Sequence, residues 1–252
     1  SCHDIFKAGG ADKRMVSLGI EDKKGNIQSP TVLNSRYNFK QFWNGRADTL
    51  LEQANGPIHN PVEMALDAPT VEKRLNSSQH YQRVFSELTH QKVITFEMVL
   101  DAIVEFEKAL VTPNSRFDQF LRGEITLNKL EKRGYQTFKE LGCITCHNGI
   151  NVGGNSFQKM GLITPYKYNK CYPDRYAITK KEQHKNVFKV PTLRNIALTA
   201  PYFHDGSAAT LKEAIKIMSD HNLGYLHSDE EIKAIVAFLN SLTGDMPTIM
   251  KE

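Results

Sequence analysis

The run Cys143-Ile144-Thr145-Cys146-His147 constrains this chain more than any other feature. Two thiols at this spacing can add to the two vinyl groups of one haem, and the adjacent imidazole can then ligate its iron. A redox dithiol of the same spacing belongs in a βαβ pattern, and none surrounds it. A zinc site would need another close pair of Cys or His, which the sequence lacks. The chain also opens on Ser1-Cys2-His3, the last three residues of a second such run. Its first Cys is expected two places before Ser1, outside the sequence. The reading is two covalent haems, one on Cys2 and His3, the other on Cys143, Cys146 and His147.

The rest of the chain reads as helices joined by long loops. Val99, Ile103, Phe106 and Leu110 recur at helical spacing and stop before the breaker Thr112-Pro113-Asn114-Ser115. Leu127, Leu130, Phe138 and Leu141 line a helix that runs into the Cys143 motif. Thr210-Leu211-Lys212-Glu213 and Ser228-Asp229-Glu230-Glu231 are capping boxes. The first opens a helix with Leu211, Ile215 and Met218 on one face. The second opens one with Ile232, Ile235, Val236, Leu239 and Leu242 inward, stopped by Gly244 and Pro247. Segments 17–45 and 148–210 show no sustained period, as expected of loops that wrap a porphyrin. The haem motif is the one internal echo expected. The expected fold class is all-α, divided into residues 1–122 and 123–252.

Composition narrows the function classes. The 252 residues suffice for two modest cores, and 40% apolar with 24% charged content is ordinary for a soluble globular chain. No apolar run approaches the roughly 18 residues of a membrane span. The formal charge of +4 is mild and carried by scattered residues, which argues against nucleic acid and against a membrane surface. Covalent haem attachment takes place outside the cytoplasm, so a bacterial chain of this kind is expected in the periplasm. Cys171 reads as a buried free thiol, with a disulfide across a dimer as the alternative.

Further segments carry a resemblance. They are Ser29-Pro30-Thr31-Val32-Leu33-Asn34; Phe42-Trp43-Asn44-Gly45-Arg46-Ala47; Glu52 through Met64; and Val190-Pro191-Thr192-Leu193-Arg194-Asn195, running on to Thr199-Ala200-Pro201-Tyr202-Phe203-His204-Asp205-Gly206. With the two haem motifs, in this order and spacing, the chain resembles the bacterial di-haem cytochrome c peroxidases over nearly its full length. That resemblance implies two cytochrome c-like domains. The N-terminal, low-potential haem reduces hydrogen peroxide. The C-terminal, high-potential haem receives electrons from a small cytochrome c or cupredoxin. His3 and His147 match the proximal ligands, Met218 the sixth ligand of the second haem, and Gln53 with Glu63 the pair over the peroxide site. Trp43 matches the tryptophan between the haems. Thr199 and Pro201 match carbonyl donors to a calcium ion, with Gln28 where the family has an Asn. A homodimer is left open.

Each residue type suits its implied role. Splitting an O–O bond needs a proton moved from the near to the far oxygen, and a carboxylate in a dry pocket can carry it. Glu63 is that candidate, and Gln53 can orient peroxide without titrating. On local sequence alone, Glu63 also reads as a first-turn carboxylate of a helix begun by Asn60-Pro61. Met218 also reads as core filler, and Trp43 as a buried structural residue. His/Met ligation raises a haem potential, as an electron-entry haem requires. His204 reads as a core residue, His59 as a neighbour of the peroxide pocket, and His80, His90, His184, His221 and His227 as surface residues. Many family members carry a His where this chain has Ile20, and that His caps the peroxidatic iron until the other haem is reduced. An aliphatic side chain cannot bind iron, so an open site is expected. Two rivals share the motifs. One is the related di-haem oxidase of cofactor maturation, which has Tyr in place of Met218. The other is a non-catalytic di-haem electron carrier, which leaves Gln53 and Glu63 without a purpose.

Overall fold

The computed structural model describes residues 2–167 and 172–251, so the expectation for Cys171 lies outside the described residues. The chain is mostly helical: α1 (Leu50–His59), α2 (Ala68–Asn76), α3 (Gln79–Thr89), α4 (Phe96–Ala109), α5 (Arg116–Leu121), α6 (Lys129–Glu140), α7 (Tyr176–Thr179), α8 (Leu211–Met218) and α9 (Asp229–Asn240). Strands β1 (Phe157–Lys159) and β2 (Val187–Lys189) form a short antiparallel pair, with Phe157 opposite Lys189. Both expected capping boxes form. Thr210 Oγ1 accepts the Glu213 N–H at 3.2 Å while Glu213 Oε2 accepts the Thr210 N–H at 3.0 Å. Ser228 and Glu231 do the same at 3.2 and 2.8 Å. These reciprocal bonds satisfy amides that a helix start leaves without partners.

Two cores hold the helices. In the C-terminal half α6 crosses α9 so closely that a Cβ at Gly134 would collide with the Ala234 carbonyl. The Phe238 ring lies 5.2 Å from Phe117 and from Tyr135, and 5.1 Å from Phe138. Phe117 belongs to α5, so the segment just before residue 122 packs on the C-terminal core. Arg194 extends the same connection by bridging Asp118 at 2.7 Å. The N-terminal core is smaller and gathers Ala54, Ile58, Val71, Phe96 and Leu100. Here α4 departs from expectation. Its buried positions are Phe96, Leu100, Val104 and Glu107, whereas Phe106 is 40% exposed. Of the expected stripe, Val99 and Ile103 pack against this core and Leu110 is buried, while Phe106 alone faces out.

The chain is also duplicated well beyond the haem motif, contrary to the sequence expectation. Pro30-Thr31 leads to Asn34 as Pro191-Thr192 leads to Asn195, and the two asparagines take φ of 61° and 60°. The Asn34 N–H donates to the Leu110 carbonyl and the Asn195 N–H to that of Leu242. The Asn34 and Asn195 side-chain oxygens accept from the Thr112 and Gly244 amides, each at 3.0 Å. Bridges Gln41–Ala47 and Tyr202–Ala208 shape matching turns, with Gly45 and Gly206 at φ 65° and 64°. Thr49 then caps α1 as Thr210 caps α8. In the closing helices Ala102-Ile103-Val104 matches Ala234-Ile235-Val236, and Leu110 matches Leu242. The halves meet at Thr112, whose Oγ1 accepts from both asparagine side chains, at 2.7 and 2.8 Å. This echo was missed because few side chains are shared. What repeats is turn conformation and hydrogen bonding.

Candidate active site

A cavity of about 450 Å³ opens between the N-terminal loops and α1, in the size range of small-molecule and cofactor sites. It gathers Cys2, His3, Trp43, Gln53 and Glu63, residues spread over the first quarter of the chain. His3 Nδ1 lies 3.0 Å from the Gly10 carbonyl oxygen. A carbonyl only accepts, so Nδ1 carries the proton and Nε2 keeps its lone pair. Burial holds the His3 pKa below its ordinary value, against the Gly10 bond and the Glu63 charge. A neutral imidazole whose far nitrogen is fixed by a carbonyl is the form that ligates iron. Cys2, adjacent in sequence, lines the same cavity, where its thiol could serve for attachment.

Gln53 stands in the second turn of α1. Glu63 is not helical: α1 ends at His59, and Asn60 takes ψ of 123°, the extended form favoured before a proline. Residues 61–64 form turns instead. This removes the reading of Glu63 as a first-turn carboxylate. Asn60 Nδ2 donates to Glu63 Oε1 at 2.6 Å and orients the carboxylate. Arg46 lines the same cavity, its guanidinium 3.3 Å from the centre of the Phe42 ring. Burial lowers the Arg46 pKa and the Glu63 charge partly restores it.

The loop that carries Ile20 is docked on this carboxylate's backbone. The Ile20 N–H donates to the Glu63 carbonyl at 2.7 Å. A Cβ at Gly19 would lie 2.6 Å from that oxygen and 2.7 Å from Glu63 Cα, so only glycine fits there. Gly19 lines the cavity, whereas Ile20 does not and is 41% exposed. His59 does not line it either. It is exposed and stacks on Phe96 at 5.3 Å, which corrects its placement beside the peroxide pocket.

Trp43 connects the cavity to the C-terminal half. Its Nε1–H donates to the Gln28 carbonyl at 2.8 Å, and its own carbonyl accepts the Lys189 N–H at 2.7 Å. The indole meets the buried His204 ring edge-on at 6.1 Å, and His204 stacks on Phe188 at 4.1 Å. Burial holds the His204 pKa well below its usual value. Lys189, which sequence reasoning passed over, is 6% exposed, and burial pulls its pKa down to about 8. The one sequence signal was a lysine inside the apolar run Val187-Phe188-Lys189-Val190.

In the C-terminal half, burial pushes the Cys143 thiol up to about 11 and raises Cys146 as well. Neutral thiols do not suit a reactive dithiol, which needs a lowered pKa. The buried His147 Nδ1 has no hydrogen bond of good geometry, although the Val152 and Pro191 carbonyls lie near it. Burial brings His147 to about 4, so the ring is neutral. Met218 ends α8, where the helix widens into a π turn over Ser219–Leu223. Leu211 and Ile215 of the same face join the C-terminal core, whereas Met218 is half-buried. In the duplicated α1, the place of Met218 is taken by Pro57, which lines the N-terminal cavity.

Gln28 is 3% exposed and its N–H donates to the His204 carbonyl at 2.9 Å, close in sequence to the buried Thr199 and to Pro201. Neutral oxygens of this kind suit calcium. Among the described residues, no group of three or more His, Cys, Asp or Glu could hold a metal ion. No helix of the described residues is long and apolar enough to cross a membrane. Of the five histidines read as surface residues, His80 and His90 are exposed, but the His227 side chain is fully enclosed. The Tyr225 ring packs edge-on against it at 5.0 Å, which the local sequence does not reveal.

Comparisons with known proteins point to one family. The family model described as di-haem cytochrome c peroxidase matches residues 1–126, and that described as cytochrome c matches residues 131–243. A cytochrome c551 peroxidase of Nitrosomonas europaea is 47% identical over 98% of this chain and 74% of its own. The cytochrome c peroxidase Ccp of Escherichia coli is 43% identical over 100% of this chain, which spans 55% of that protein's length. A solved structure of a MauG-like protein associated with microbial copper homeostasis superposes with a TM-score of 0.87 at 27% identity, covering 97% of this chain and 83% of that one.

Proposed function

The chain belongs to the di-haem cytochrome c peroxidase family, and on that premise we propose that it reduces hydrogen peroxide to water in the N-terminal cavity. Electrons enter at the C-terminal haem from a small periplasmic cytochrome c or cupredoxin. The observation that carries this reading is the convergence of Cys2, His3, Gln53, Glu63 and Trp43 on one cavity. When bound, the N-terminal haem supplies the iron at which peroxide is reduced. The residues supply the rest. His3 Nε2, with its lone pair free of the Gly10 contact, would ligate the iron. Gln53 orients peroxide through its amide. Glu63, held by Asn60, carries a proton between the two oxygens, a task worth about 10²–10⁴ in rate. Trp43, fixed through Nε1–H, shortens the electron path towards the C-terminal half.

The two haems then differ by one residue of the duplicated helix. Met218 gives the C-terminal haem a thioether, which raises its potential. Pro57 at the matching place offers no donor atom, and Ile20 offers none from the facing loop. On this reading neither residue would close the N-terminal site in the fully oxidised protein. Met218 also disfavours the oxidase reading, and the paired Gln53 and Glu63 disfavour a mere electron carrier. Thr199, Pro201 and Gln28 are the proposed oxygen donors to a calcium ion between the halves.

Stopped-flow mixing of the fully oxidised protein with peroxide is the test. A rapid change in the Soret band before any electron is supplied is expected. Silence until one electron has been added would mean that another group caps the iron, and the open-site reading would fall. An inert half-reduced protein would sink the peroxidase reading itself.

A further inference from the structure

Glu107 is a buried carboxyl that the chemistry above does not use. It stands on α4, is 8% exposed, and lines the same cavity as His3 and Glu63. Its Oε2 is enclosed and has no hydrogen-bond partner. Ser35 Oγ, also enclosed and without a partner, lines the cavity too. Buried polar atoms are almost always paired, so two orphans facing one cavity call for an explanation.

The duplication supplies an internal control. Glu107 corresponds to Leu239 of α9, which is 4% exposed and packed in the C-terminal core. The same place in the same helix is thus apolar beside the electron-entry site and acidic beside the peroxide site. A leucine would fill it without leaving an unpaired oxygen, so packing alone does not call for a glutamate.

We infer that Glu107 is a proton-exchanging group of the N-terminal cavity, taking up one proton from solvent when an electron reaches the haem there. The inference rests on the reading that His3 carries a haem. The balance is simple. One electron arrives from the C-terminal half, one proton passes from solvent to the Glu107 carboxylate, and the net charge of the cavity is unchanged. Adding negative charge to a cavity raises the proton affinity of a buried carboxylate that lines it. Peroxide reduction to two waters consumes two protons with its two electrons, so a proton stored with an electron is also a proton available to the reaction.

Electrostatics of the site fit this role. Burial alone raises Glu107 to about 7, where it can exchange a proton near neutral pH. The elements packed against α4 bring Arg36 from the turn Ser35–Tyr37, Glu52 and His59 from α1, and Glu72, Lys73 and Arg74 from α2. Arg36 is engaged by the Lys108 carbonyl, and Glu72 by the Phe96 amide. Across the cavity stand Cys2, His3, Arg46 and Glu63. None of these offsets the burial of Glu107.

The experiment is a spectroelectrochemical titration of both haems of the holoprotein at a series of pH values, repeated for Glu107→Gln and for Glu107→Leu, the residue of the other half. In the native protein the N-terminal potential is expected to fall as pH rises through the neutral range. Both variants should lose that slope, and the C-terminal haem should be unaffected in all three. A slope unchanged in Glu107→Gln, or one lost only in Glu63→Gln, would overturn the assignment. A pH-indicator measurement on the native protein covers the case in which the variants do not take up haem. Reduction of the N-terminal haem without proton uptake near neutral pH would equally overturn it. Absence of an N-terminal haem spectrum would instead strike the underlying haem reading.

Discussion

The two halves share a skeleton and differ in what they enclose. Around the C-terminal haem motif, α6 and α9 press together through Gly134, and five aromatic rings, Phe117, Phe120, Tyr135, Phe138 and Phe238, pack in the core beside them. Around His3 lies a cavity lined by Gln53, Glu63, Arg46 and Glu107. The first arrangement is closely packed and apolar, as the proposed electron-entry half would need. The second keeps polar groups under-satisfied, which suits a site that must bind a small polar substrate and move protons. Two equivalences express the change: Met218 against Pro57, and Leu239 against Glu107. The duplicated turns and asparagine hydrogen bonds keep the backbone in place while those side chains diverge.

The comparison can be broken most directly at Glu63. Glu63→Gln is expected to retain both haems and lose about 10²-fold or more in turnover, since an amide cannot carry a proton. Steady-state peroxidase rates near those of the native protein would mean that the polar cavity is not the reactive half. On the other side, Phe238→Ala removes the centre of the aromatic cluster and should cost about 3–5 kcal/mol of stability. Denaturant melts should show the loss in the C-terminal haem signal. A small effect would mean that this core is less tightly packed than the ring geometry indicates.

Next in size is the bridge that ties α5 to the C-terminal half. Arg194→Gln should cost about 1.5–3 kcal/mol at neutral pH. Burial would raise the Asp118 pKa, but its hydrogen bonds to Arg194 and Ser115 outweigh burial and hold it below the ordinary value. A carboxylate with a depressed folded pKa contributes stability above its unfolded value, and that contribution is lost as pH falls through the folded one. The difference between variant and native protein should therefore shrink in acid. A difference that is constant with pH would assign the effect to packing. The smallest effects concern the matched caps. Thr49→Ala and Thr210→Ala should each cost about 1 kcal/mol, because each hydroxyl accepts one amide of its helix start. Unequal costs in thermal melts would show that one copy of the helix is held chiefly by other contacts.

Much of this was readable from residue order. The Cys143–His147 run declares covalent haem chemistry because thiols and imidazole at that spacing have few other uses. The capping boxes and the α9 stripe were legible because they depend on neighbours within one or two turns. The buried face of α4 was not, because its periodic apolar residues do not reveal that Glu107 is enclosed while Phe106 faces out. His227 was misread for the same reason.

The sequence by itself pointed to the family, through several motifs in a shared order, and to the helical class, through local spacing. Tertiary structure decided the remainder. It showed that Glu63 stands on a turn under the Gly19–Ile20 loop, that Pro57 matches Met218, and that Glu107 opens on the cavity of His3. These facts depend on which backbone segments approach one another. Close approach is settled by excluded volume and by the need to satisfy buried amides across the whole fold, and no single stretch of residues records it.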